Sequence, residues 1–123
     1  MNRLVPLMVL AALSLLSPVT EAGSKDGQRR WTKTIKKGSE LIYKVVFLAE
    51  NAKARQTAEF AVIGDGSTDV DIEVRDSFGK IVAQDSFYTD LALCRWVPTM
   101  TQEYTIHVKN LGGEDNVCTM GHN

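Results

Sequence analysis

From about residue 57 onward, apolar and polar residues take turns along the chain. In Thr57–Ile63, Ala58, Phe60 and Val62 fall on one side while Thr57 and Glu59 fall on the other. Val70, Ile72 and Val74 alternate with Asp69, Asp71, Glu73 and Arg75, and Tyr104, Ile106 and Val108 alternate with Glu103, Thr105, His107 and Lys109. A period of two is that of an extended strand with one buried face. Turn signals separate these runs: Gly64-Asp65-Gly66, Ser77-Phe78-Gly79, Pro98-Thr99 and Gly112-Gly113. Lys80–Phe87, Leu91–Val97 and Asn116–Met120 complete the series. Upstream, Trp31–Ile35 and Glu40–Leu48 are rich in β-branched and aromatic residues, with Lys37-Gly38-Ser39 as the turn between them. Ala49–Thr57 consists of good helix formers but reads as a polar loop rather than a short helix. Short strands at this spacing predict an all-β antiparallel sandwich of about seven to eight strands. Its expected core is Phe60, Val62, Val70, Ile72, Val74, Tyr104, Ile106 and Val108, with Trp96 beside them.

The N-terminus follows another rule. Asn2-Arg3 is a short basic start, Leu4–Leu16 is an unbroken apolar run, and Ser17-Pro18 ends it. Thr20-Glu21-Ala22 places small residues where a signal peptidase would cut. Too short to span a bilayer, the run predicts a signal peptide over 1–22 and a single β-sandwich domain over 23–123. No cysteine follows the cleavage site to carry a lipid, so the product is expected to be released as a secreted or periplasmic monomer with no membrane attachment.

Export changes the reading of the two cysteines, Cys94 and Cys118. In an oxidising compartment a small domain gains from a covalent staple, and a disulfide between them would stabilise by about 3.5 kcal/mol in the chain-entropy model. Two cysteines alone make a poor zinc site, and no Cys-x-x-Cys pair is present.

Charge is uneven although the net value is only −1. Nine Lys/Arg face three acids in 23–55, and four face eleven in 56–123. The basic run from Arg29-Arg30 to Lys36-Lys37 reads as a lysine-guarded edge strand, not a nucleic-acid site. The acidic stretch Gly64–Asp76 (GDGSTDVDIEVRD) raises the question of calcium. It is not an EF-hand, because Val70 stands where the loop glycine belongs and strand alternation follows. Asp69, Asp71 and Glu73 lie in a row roughly 7 Å apart, too wide to cage an ion alone. Calcium would need Asp69 and Asp71 together with Asp65 from the preceding turn, or with Asp85 and Asp90 after the next strand. A basic neighbour such as Arg75 or Lys80 is the alternative way to relieve the repulsion.

No catalytic residues are assigned. His107 lies on an outward strand face, His122 is near the end, and no nucleophile or phosphate-binding motif occurs. A small hydrolase using strand carboxylates such as Asp69 or Asp71 is the alternative of a different class.

The run Gly64–Asp76, then Gly79-Lys80-Ile81-Val82-Ala83-Gln84-Asp85, Cys94-Arg95-Trp96-Val97-Pro98, Tyr104–Asn110 and Gly112-Gly113, resembles the bacterial pre-peptidase C-terminal domain family over about residues 40 to 123. The resemblance implies a jelly-roll-like sandwich and an accessory role: non-enzymatic binding of a carbohydrate, matrix polymer or protein partner, with calcium-dependent binding as a variant. Glu73 and Arg75 depart from it, standing where that family usually has aromatics, so no aromatic platform is expected on that strand.

Overall fold

A computed structural model describes residues 23–49, 57–87 and 89–123. The helix-or-loop question for 49–57 therefore lies almost wholly outside the described residues, as does the expected signal peptide. Eight strands run in chain order: β1 (Arg29–Ile35), β2 (Glu40–Phe47), β3 (Ala58–Ile63), β4 (Val70–Arg75), β5 (Ile81–Asp85), β6 (Leu91–Trp96), β7 (Gln102–Asn110) and β8 (Asn116–His122). They form two four-stranded antiparallel sheets, ordered β1-β8-β3-β6 and β2-β7-β4-β5, which make a β-sandwich. Pairing is nested. β1 meets β8, β2 meets β7, β3 meets β6, and only β4 and β5 are joined as a local hairpin.

Alternation decides which residues meet between the sheets. Val70, Ile72 and Val74 of β4 and Tyr104, Ile106 and Val108 of β7 are buried, packed against Phe60 and Val62 of β3 and Met120 of β8. Fully burying each such side chain contributes about 1.5–3 kcal/mol. Ile35 and Phe47 join the core from the front of the domain. The ring of Phe47 meets Trp96 edge-on at 5.0 Å and Tyr104 at 5.9 Å. The segment just before β1 is also tied down. Leu48 N–H donates to Gly23 O, and Ser24 forms a bridge to Phe47.

The expected disulfide is not formed: Cys94 and Cys118 are both buried free thiols. Cys94 lies on β6 opposite Phe60 of β3, and on its other side Phe60 faces His122 of β8, four residues beyond Cys118. A whole strand intervenes, so the two cysteines sit two strand spacings apart, roughly 9.5 Å, and are offset along the strands as well. That exceeds the Cα separation of about 7 Å that a disulfide tolerates. Burial pushes both thiols up to about 12, so neither carries appreciable thiolate at neutral pH.

Candidate functional site

The loud acidic stretch splits into two parts with different duties. Its turn, Gly64–Thr68, is a polar tie between three loops. Asp90 Oδ2 accepts from Gly66 N–H at 2.6 Å and from Asn116 Nδ2 at 3.0 Å. Asn116 Oδ1 accepts from Asp65 N–H at 2.9 Å. Asp65 in turn accepts from Ser67 N–H and Val117 N–H. Burial raises the Asp65 carboxyl, but these hydrogen bonds outweigh it and hold the group below its ordinary range. Thr68 Oγ1 donates to Asn110 Oδ1, and Asn110 Nδ2 reaches Ile35 O and Glu114 O. Two glycines permit the approach: a Cβ on Gly64 would lie 2.2 Å from Asp90 Oδ2, and Gly66 has φ 86°.

Asp69 and Asp71 have a different environment. Oδ1 of each is buried with no hydrogen-bond partner. Burial, then repulsion from Asp90 and Asp85, raises Asp69. Burial, then repulsion from Asp69 and Asp85, raises Asp71 against the pull of Lys109. Of the four candidate metal ligands, Asp69 and Asp71 thus keep an oxygen without a partner, while Asp65 has both of its oxygens and Asp90 its Oδ2 engaged by the tie. Among the described residues no group of three His, Cys, Asp or Glu side chains is placed to hold a metal ion. Further along β4, Glu73 is bonded to Arg75 at 2.7 Å and approaches Lys109 at 3.8 Å, so the basic neighbour there is Arg75 and not Lys80. The Arg75 hydrogen bond and Lys109 hold Glu73 low.

A cleft of about 430 Å³ lies elsewhere, lined by Asp76, Lys80 and Val82 from the β4–β5 hairpin and by Arg95, Trp96 and Thr99 across from them. Ile81 and Val97, 40% and 53% exposed, line it too. The loops that frame it also carry Phe78, 81% exposed, and Met100, 49% exposed. Ser77 is tied to the start of β7, its N–H donating to Gln102 Oε1 at 3.0 Å, so the turn that presents Phe78 is braced against the second loop. The floor includes Trp96, whose ring packs in the core as expected but whose Nε1 is buried without a hydrogen-bond partner. Sequence reading missed this place. Phe78 and Met100 are single apolar residues in turns, where no periodicity marks them.

No protein-family model matches the chain, and no curated protein matches it in sequence. Its fold does have solved counterparts. The pre-peptidase C-terminal domain of a Bacillus anthracis collagenase is similar at TM-score 0.59 and 8% identity, over 82% of this chain and 90% of that one. PliG of Aeromonas hydrophila, a periplasmic inhibitor of g-type lysozyme, is similar at TM-score 0.56 and 12% identity, over 78% of this chain and 84% of that one. At such identities the likeness establishes a shared β-sandwich fold.

Proposed function

We propose that the chain is an exported, non-enzymatic, jelly-roll-like binding module that docks a partner protein through the rim of the β5–β6 cleft. One observation carries this: four large apolar side chains, Ile81, Phe78, Val97 and Met100, stand exposed on segments that frame one cleft. Scattered exposed apolar residues are ordinary, but a group around a concavity marks an interaction surface. The bracing of the Phe78 turn lowers the ordering cost of binding. The two fold neighbours support the class: one is a domain attached to a collagenase, the other an inhibitor that acts on an enzyme. A hydrolase reading has less to stand on at this cleft, since a pair of carboxylates is needed and Asp76 is the one acid in its lining.

The test is site-specific photo-crosslinking in exporting cells, with the reactive residue placed at 78, at 100 or at 42. Ile42 is 52% exposed on β2 of the other sheet edge and serves as the control. The expected result is one shared protein adduct from 78 and 100, absent from 42 and lost when Ile81→Ser is added. Adducts at 42 alone, or none at 78 and 100, overturn the reading.

Calcium-dependent binding is a second reading, supported by the two unpartnered carboxylate oxygens of Asp69 and Asp71. A melting-temperature rise with calcium well above that with magnesium at equal ionic strength supports it. Equal small rises overturn it.

A further inference from the structure

The front of the domain holds a recess that the cleft above does not involve. It measures about 220 Å³ and is lined by Arg29, Trp31, Tyr43, Lys44, Val45 and His122, where the edge strands β1 and β2 of the two sheets come together. Trp31 and Tyr43 form its half-buried aromatic wall. Their rings meet edge to face, 5.1 Å between centroids at 63°, and Trp31 Nε1 donates to the Tyr43 hydroxyl at 3.2 Å. That bond fixes both rings and leaves the Tyr43 O–H free to donate outward. His122 backs the wall, its ring 5.8 Å from Trp31, and burial lowers it so that it stays neutral at physiological pH.

The charge around this recess is one-sided. Its lining contains two cations and no acid. Among the described residues, Arg29, Arg30, Lys33 and Lys44 have no carboxylate within 4.0 Å, as is true also of Lys25, Lys37 and Lys80, whereas Lys36, Arg75, Arg95 and Lys109 do. A row of unneutralised cations beside a rigid aromatic corner asks for an anion that also carries an apolar ring face.

We propose that this recess binds an acidic sugar, a carboxylate- or sulfate-bearing pyranose of a polyanionic glycan. The sugar's C–H face would lie on Trp31 and Tyr43, with Arg29 and Lys44 taking the anionic group and Lys33, two residues along β1 on the face of Trp31, attracting the next residue of the polymer. A flat ring with an apolar face suits the aromatic corner better than an extended acidic side chain does. The recess has room for one such ring, and Lys33 continues the positive charge along the same face of β1.

The experiment uses the full chain recovered from exporting cells. Hexagalacturonate is the probe, with cellohexaose as its neutral match and poly-L-glutamate as the acidic peptide, each titrated into the millimolar range. The chain's two tryptophans lie at different sites, so fluorescence quenching by a ligand in the recess comes from Trp31 and disappears in Trp31→Phe. Hexagalacturonate should quench and bind, weaken as salt rises, and lose about tenfold or more in affinity with Arg29→Glu or Lys44→Glu, the size expected for a charge-assisted contact. Both positions are exposed, so an unchanged melting temperature excludes misfolding as the cause. Equal binding of cellohexaose, tighter binding of poly-L-glutamate, or no binding of hexagalacturonate overturns the proposal and leaves the protein-docking cleft untouched.

Discussion

Removing the Asp90 carboxylate separates a structural tie from a metal ligand. Asp90 is 9% exposed, and its Oδ2 serves Gly66 N–H and Asn116 Nδ2 at once. Hydrogen bonds to a charged acceptor contribute about 1.5–3 kcal/mol each, so Asp90→Ala forfeits roughly 3–6 kcal/mol. Relief of the repulsion that Asp90 exerts on Asp69 returns about 1 kcal/mol at most. The net loss of about 2–6 kcal/mol is a large share of the 5–15 kcal/mol typical of a domain. At about 4–8 °C per kcal/mol, it lowers the melting temperature by about 8 °C at the least and by several tens of degrees at the upper end. Asp90→Asn keeps an oxygen acceptor and loses the charge, so it should fall between Ala and wild type. Urea unfolding of all three in EDTA gives the answer. If Asp90→Ala matches wild type within about half a kilocalorie there, and separates from it only when calcium is added, Asp90 is a ligand and the account of the tie is wrong.

Three further outcomes are expected. Mass spectrometry of the exported protein should find Cys94 and Cys118 as free thiols, unreactive to alkylation until unfolding, and reductant should leave the melting temperature unchanged. Ile72→Ala, at a position 1% exposed, should cost about 2–5 kcal/mol by chemical denaturation; a loss below half a kilocalorie would mean β4 faces the other way. Asp71 has a folded pKa above its ordinary 3.8, so the stability its protonated form contributes is present below 3.8 and lost as pH rises through the folded value. Asp71→Asn should therefore stabilise at pH 7 by up to about 1 kcal/mol, with the gain vanishing in a pH series as the solution is acidified toward 3.8.

The strands were legible because each carries its own signal. Val70-Asp71-Ile72-Glu73-Val74 states its period and its buried face within five residues, and all eight expected segments correspond to strands. Adjacency between strands has no such local signature. Nothing in the residues around Cys94 or Cys118 says that β3 separates them, and that one fact removes the disulfide. The acidic turn was recognisable as a turn, yet the partners that give Asp65 and Asp90 their roles are Asn116 and the backbone N–H groups of Gly66, Ser67 and Val117, which sequence leaves mute. The cleft is assembled from residues 76–82 and 95–104 across two sheets, so its apolar rim exists only once the chain has folded.

The nested pairing has a consequence for how the chain reaches this state. β8 lies between β1 and β3, so until the last strand arrives β1 has no backbone partner and its sheet is reduced to β3 against β6. Closure of such distant segments must be paid in loop entropy before contacts reward it, and the β4–β5 hairpin is the one piece available early. A chain that emerges N-terminus first therefore keeps β1 unpaired until β8 has emerged, although β2-β7-β4-β5 and β3-β6 can pair before then. Closure of the first sheet is thus ordered in time by topology, and a variant that weakens β8 would lengthen the interval in which β1 stands open to proteases.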